Sequence, residues 1–467
     1  MADAAVAQVH GEPFSAAERA LPVVLGTVLA GAIIHPRALP ALMGLLALTL
    51  AGMAWLWRDR VSRGGPGNGE GGVLARMWQA QPATIGYLAF AGYCAVTAAW
   101  SPIPVAAFGK VSWLILLVLM TALGVRLWSL LDRRTCDRLL ATIAALTILG
   151  SVFLAIEVWS VQAISRFAYN WVPFLDPGPN KHMTHAGGRV TAIGPWVLNR
   201  NVGAFHLLLW PALSCMFALA VRRARTSSAK RLHAAGLAVV LVATLLATMR
   251  SEHETSQIAM VVSGVVYLIA RLHLPTARIV VLAGWLAANL AMLPVVAVAH
   301  KAGLHENRLV PLTGQARIIL WNFTAQKFLE RPLAGVGANA TRTIDDDLRP
   351  TAVTLPGQAY PQRTGQHSHN FFVQTWYELG VIGALLFLAG GCLLWRETGR
   401  LSVRAQPYAL AASTSAMCIA ALSWGLWQQW YLSLFAIAIL LIALGNVTLD
   451  RSSEDRSADW GAANDVA

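Results

Sequence analysis

The residues best suited to chemistry sit together at His367-Ser-His369-Asn370, where a long basic loop meets an apolar segment. A neutral imidazole near a membrane surface can take a proton from a hydroxyl close to physiological pH, which is the task of a general base. His369 is the candidate for that role, with Asn370 to orient the ring or the substrate and His367 beside it. The competing reading is structural: both histidines cap the following helix or hydrogen-bond to the loop. Glu378, nine residues further on, faces partly elsewhere.

Arginines form a second constellation. Arg200 stands in Pro195-Trp-Val-Leu-Asn-Arg200-Asn201 and Arg250 in Thr248-Met-Arg250-Ser-Glu-His-Glu. Arg308 and Arg317 come from one long loop and Arg189 from a shorter one. Guanidinium groups grip phosphate oxygens in forked pairs, so several converging arginines suit a diphosphate. Any one of them alone reads as a snorkelling or ion-paired side chain. As a set beside apolar segments they point to an anionic ligand.

Metal chemistry is the weaker alternative. His182-Met-Thr-His185 and His367-Ser-His369 have ligand-like spacing, and Asp345-Asp-Asp347 resembles runs that hold a divalent ion. No carboxylate or thiol cluster accompanies the histidines, and the acidic run reads as solvated or capping. No metal and no cofactor are expected. Gly335-Val-Gly337-Ala-Asn339 reads as a turn.

The elements that must position these groups follow from composition. The chain has 467 residues, 56% hydrophobic and 13% charged, against roughly 25% charged in soluble proteins. Crossing hydrocarbon takes about 20 apolar residues. Twelve segments qualify, centred near residues 27, 47, 92, 117, 149, 212, 241, 263, 287, 382, 416 and 438. The expected fold is therefore an all-α polytopic membrane protein with about twelve transmembrane helices and a large helical outer loop.

The net charge of +13 fits membrane topology, not nucleic-acid binding. Alternate loops carry Arg58, Arg60, Arg63 and Arg76, then Arg126, Arg133, Arg134 and Arg138, then Arg222, Arg223, Arg225, Lys230 and Arg231. Arg271 and Arg278, then Arg396, Arg400 and Arg404, continue the series. The positive-inside rule places these loops and both termini in the cytoplasm. Cys94, Cys136, Cys215, Cys392 and Cys418 lie in or beside apolar segments and read as packing residues without a structural disulfide. The first helix, around Leu21–His35, lacks a basic start and cleavage pattern and is expected to be retained.

The organisation expected is a polar lead (1–20), nine helices (21–299), a large loop (300–368), three helices (369–447) and a cytoplasmic tail (448–467). Gly64–Gly72 is a flexible linker, and the tail from about Asp450 is expected to be disordered. Parity puts about 161–199 and 300–368 outside the cytoplasm. The second loop holds eight cations against five acids, against the insertion bias, which an anionic substrate would explain. Within it Gly314–Glu330 has helical spacing. Leu320, Trp321 and Phe328 share a side with Arg317, so this helix is expected along the interface with Arg317 at headgroup level.

Gly314-Gln-Ala-Arg317-Ile-Ile-Leu-Trp321, Arg331-Pro-Leu-Ala-Gly335-Val-Gly337 and His369-Asn370 with Gly380 and Gly383 resemble the region shared by O-antigen ligases and O-antigen polymerases. The ligase pattern has His, then Asn, Ser or Gln, nine residues, Gly, two residues and a small residue; His369-Asn370 through Gly380-Val-Ile-Gly383 matches each fixed place. Trp100-Ser-Pro102 and Asn199-Arg-Asn201 also resemble the family's outer turns, so the resemblance covers most of the membrane portion.

The resemblance implies that His369 is the catalytic base and that Arg317 and Arg250 bind the lipid-linked donor. Arg308-Leu-Val-Pro-Leu312 is similar to the Arg-x-x-x-Leu pattern of ligases. Met249-Arg250-Ser251-Glu252 departs from the family's usual Ser-Arg followed by a small residue. The implied activity is transfer of a polysaccharide from undecaprenyl diphosphate to a sugar of the lipid A core. It would occur on the periplasmic face of a bacterial inner membrane, with inversion and without metal. The partners implied are the lipid-linked glycan, the lipid A-core acceptor and membrane lipids. An O-antigen polymerase and a protein O-oligosaccharyltransferase would use the same donor. A transporter would need charges at mid-membrane, and only Lys110 and Glu157 approach that description.

Overall fold

The computed structural model describes residues 16–57, 81–172, 178, 180, 182–344 and 367–464. The Gly64–Gly72 linker, the first basic loop (Arg58 to Arg76), Asp345–Asp347, Arg349 and Arg363 lie outside the described residues.

The helices are α1 (Ala16–Ile34), α2 (Leu39–Leu56), α3 (Pro82–Ala98), α4 (Pro104–Trp128), α5 (Arg133–Trp159) and the short α6 (Ala163–Trp171). A hairpin of β1 (Met183–Ala186) and β2 (Arg189–Ile193) follows. Then come α7 (Asn199–Arg223), α8 (Ser227–Arg250), α9 (Glu254–Leu272), α10 (Leu274–Leu290) and α11 (Met292–Lys301). The chain ends with α12 (Leu312–Phe328), α13 (Thr341–Ile344), α14 (Phe371–Thr398), α15 (Gln406–Leu422) and α16 (Gln429–Asn464).

The protein is an all-α polytopic membrane protein, and each of the twelve expected segment centres falls inside a helix. Among the described residues eight helices are long and apolar enough to cross a membrane. The count is nine if α10 and α11, bent by 67°, form one broken span. The remaining apolar helices are α1, α3 and α15, the last two with 17 residues each. By length and hydropathy, then, eight or nine of the twelve expected crossings stand out among the described residues.

The centre of the bundle is α7, with 72% of its apolar window enclosed, followed by α16 with 61%. These two pack on each other, and α7 also meets α5 and α15. Around them α14 lies on α3 and α9 on α15. Indole groups tie helices together at depth: Trp128 Nε1 donates to Leu440 O at 2.8 Å and Trp285 Nε1 to Leu388 O at 3.0 Å.

Two expectations change. The 161–199 connection is not plain loop: α6 and an antiparallel hairpin turning at Gly187-Gly188 occupy it. Buried Glu157 accepts the backbone N–H groups of Ile164 (2.8 Å) and Ser165 (3.1 Å), capping α6. The tail is not irregular either, because α16 runs on to Asn464. Extending a formed helix costs far less than nucleating one. Arg451 also anchors it, donating to Ser129 O at 2.5 Å and Leu131 O at 2.8 Å.

The helix behind the candidate histidines is broken on purpose. Gly380 interrupts α14 with φ 66° and ψ −169°. Backbone groups freed inside a membrane protein need internal partners, and the 332–337 turn supplies them. Val381 N–H donates to Pro332 O at 2.8 Å, and Gly337 N–H donates to Glu378 O at 2.9 Å. A Cβ on Gly380 would stand 2.3 Å from Leu333 O, and one on Gly335 2.3 Å from Glu378 O. Only glycine permits both the left-handed φ and this approach. The Gly335-Val-Gly337 turn is thereby a docking element for α14.

Candidate active site

Asn370 starts α14: its Oδ1 accepts the N–H groups of Phe372 (2.9 Å) and Val373 (3.0 Å). Ser368 Oγ donates to Asn370 O at 2.7 Å, and Trp321 Nε1 of α12 donates to Ser368 O at 2.6 Å. Asn370 is fully enclosed. Through Oδ1 it shapes the loop as a cap. Trp321 serves as the peg that joins α12 to the histidine loop.

His369, held between these anchors, has φ +54°, a sparsely populated conformation for a residue with a side chain. Its Nδ1 lies 2.5 Å from Ser423 O. A carbonyl can only accept, so Nδ1 carries the proton and Nε2 is left with its lone pair. Burial first, then neighbouring His367 and Arg317, pull the His369 pKa down to about 3 against the opposing pull of the Ser423 carbonyl. Burial also lowers His367, whose ring meets that of His369 edge-on at 4.1 Å. At neutral pH both rings are uncharged.

Below the loop, Glu378 collects five donors. They are Asn339 N–H (2.9 Å), Thr341 N–H (3.0 Å), Thr341 Oγ1 (2.5 Å), Gln374 Nε2 (3.0 Å) and the Trp427 indole. Gln374 Oε1 in turn accepts Leu426 N–H at 3.0 Å. The carboxylate thus knots the 337–341 turn, α14 and the 423–428 turn into one support beneath His369. Its role was not visible from its spacing to His369; an acid within an apolar helix was the available signal.

Of the expected arginines, Arg317 on α12 is near enough that its charge lowers the pKa of both His369 and His253. Arg200 lies over the Trp430 ring at 5.4 Å. Trp430 meets Trp424 at 4.9 Å, and Trp424 stacks on His253 at 4.9 Å, so aromatic rings link Arg200 to the histidine end. Arg250, Arg308 and Arg189 are exposed, and no described hydrogen bond or ring contact joins them to the histidine loop. The sequence reading missed His253, Ser423 and Trp424. Lys110, cited there for its depth, contacts Gln429 Oε1 at 3.4 Å.

The metal-like spacings resolve differently. His182 Nδ1 accepts Trp196 Nε1 at 2.8 Å. Among the described residues no three His, Cys, Asp or Glu side chains gather as metal ligands.

Fold and site define a class: a helical multi-pass membrane protein with a buried, carbonyl-clamped histidine at one end of its helices. Residues 235–388 match the profile of the O-antigen ligase family. The chain is similar to a provisionally named polysaccharide ligase of Rickettsia felis, 26% identical over 259 residues. That match covers 54% of this chain and 59% of the relative. A Rickettsia conorii protein of the same provisional description is 24% identical over 263 residues, covering 54% of this chain and 59% of its own. A Rickettsia bellii protein is 25% identical over 201 residues, covering 42% and 48%. The chain thus resembles the O-antigen ligase family over residues 235–388, and it spans about three fifths of the length of the first of these relatives.

Proposed function

We propose that this protein is an O-antigen ligase, a glycosyltransferase that moves polysaccharide from undecaprenyl diphosphate to a sugar of the lipid A core. The observation that carries the reading is His369, neutral, clamped at Nδ1 by Ser423 O, with Nε2 available as acceptor. Nε2 takes the proton of the acceptor hydroxyl as its oxygen attacks the anomeric carbon. The bond from that carbon to the lipid diphosphate breaks on the opposite face, and the anomeric configuration inverts. Undecaprenyl diphosphate departs with the bonding electrons and accepts the proton in the end.

Arg317, with Arg200 and Arg250, balances the charge that develops on the departing diphosphate, so no metal takes part. Arg308 widens the same cationic rim, and the uncharged His367 ring packs edge-on against the base. The bound diphosphate also acts on the base: its negative charge favours the imidazolium and raises the His369 pKa from its low value in the empty site. A weakly basic ring in the free enzyme thus becomes competent when donor is present. The proposed setting is the bacterial inner membrane, with the site on the periplasmic face and both termini in the cytoplasm.

The test is transfer by the purified protein from lipid-linked polysaccharide to lipid A-core in the presence of a chelator. His369→Ala is expected to abolish it, and full activity of that variant would refute the base assignment. Gene deletion followed by gel analysis of lipopolysaccharide separates the related activities. Loss of all long chains with donor accumulating marks a ligase, and a single-repeat product marks a polymerase.

A further inference from the structure

We infer that His253 is a positioning residue for the proposed base: it holds the Ser423 segment so that the Ser423 carbonyl fixes the orientation and tautomer of His369. This rests on the reading of His369 given above. Ser423 follows the last turn of α15 with φ −123° and ψ −68°, outside helical geometry, so the helix alone does not set the direction of its carbonyl. Its side chain is held instead, with Oγ 3.0 Å from His253 Nε2. His253 Nδ1 sits 2.6 Å from Ser256 Oγ on the first turn of α9. The same ring lies nearly flat on Trp424, at 4.9 Å and 22°.

His253 and Ser423 are both buried, 5% and 3% exposed. Burial chiefly, with His206 and Arg317 adding to it, lowers the His253 pKa to about 3, so the ring is neutral. A neutral imidazole offers one donor and one acceptor, which two hydroxyl groups can satisfy together. A residue present only to fill space between α8 and α9 would need neither bond. Among the described hydrogen bonds His253 reaches the base through Ser423, which places it in the same relation to His369 as a group orienting a catalytic imidazole from behind.

The experiment uses the full chain in detergent, with lipid-linked donor and lipid A-core acceptor. His253→Phe keeps a flat ring on Trp424 and loses both hydrogen bonds, whereas His253→Gln retains a polar partner for Ser423. Ser423→Ala keeps the carbonyl and removes the hydroxyl. His253→Phe and Ser423→Ala are each expected to lower kcat by about 10- to 100-fold, with KM unchanged. The double variant should be no slower than the worse single one, and His253→Gln should recover most of the rate. Multiplying losses in the double variant, a change confined to KM, or unchanged rates would overturn the inference. If His253→Phe fails to fold, Ser423→Ala alone decides by the same kcat criterion. Full activity of His369→Ala would sink the parent reading instead, a distinct result.

Discussion

Two long connections carry arginines in this protein, and among the described residues only the second meets the His367–His369 loop. The 161–199 connection folds largely on itself. Asn170 exchanges hydrogen bonds with the backbone of Val190 at 2.7 and 3.0 Å, and Arg166 donates to Thr191 O and Ser160 O. Its remaining candidate, Arg189, stands exposed on β2. The connection after α11 instead docks into the bundle through the Trp321 indole, the 332–337 turn against broken α14, and the donors on Glu378. Basic charge is common to both. What separates them is whether backbone and indole groups tie the segment to the helix end that bears His369.

The sharpest way to break that comparison is to exchange losses between the two connections. His369→Ala should lower transfer by about 100- to 10,000-fold, whereas Arg189→Ala should leave the rate within about twofold, measured as initial rates at saturating donor. Arg317→Ala comes next, with a loss of roughly 100-fold from removing one charge opposite the leaving group. Arg317→Lys should recover part of it. Equal losses from Arg189→Ala and Arg317→Ala would end the distinction.

A third test concerns docking. Gly380→Ala forces a Cβ against Leu333 O and a left-handed φ; it should destabilise the fold by at least about 1–3 kcal/mol, read as a lower midpoint in thermal unfolding in detergent. Gly187→Ala, at the hairpin turn of the other connection, should be better tolerated, since nothing lies within 4 Å of its added Cβ.

The smallest effects are in pH. With the His369 pKa lowered to about 3 by burial, His367 and Arg317, kcat/KM should stay flat from neutral pH down to about pH 5. Removing Arg317 takes away one lowering charge, so the acid limb should move to higher pH. Stability follows the same sign. Between about pH 3 and the unfolded value near 6.5, the unfolded chain binds a proton that folded His369 refuses. Stability is therefore complete above the unfolded value and falls as pH drops through this window. His369→Gln should flatten that fall in a series of unfolding scans.

Much of the fold was legible because hydrophobic runs act locally. Every expected segment centre lies in a helix, and the Gly314–Glu330 stretch became α12 (Leu312–Phe328). The crossing count was less legible, since α3 and α15 are short and α10 breaks from α11 by 67°. The hairpin escaped notice because two short strands that pair only with each other leave little periodic signal. The tail escaped because its polar composition says nothing of the helix that feeds it.

In the candidate site, the residues that spacing could single out were His369 at the head of an apolar helix, and Arg317 and Trp321 on one side of an amphipathic one. Neighbours along the chain can be read from spacing. Ser423, 54 residues from His369, and His253, 170 residues from Ser423, could not. Nothing in a serine or a backbone carbonyl marks it as the group that decides which nitrogen of a distant imidazole carries the proton. The chain itself determined its helices and the imidazole at a helix mouth. Tertiary packing decided that ring's tautomer, its charge state and the arginines within reach, because those depend on partners that only folding brings together.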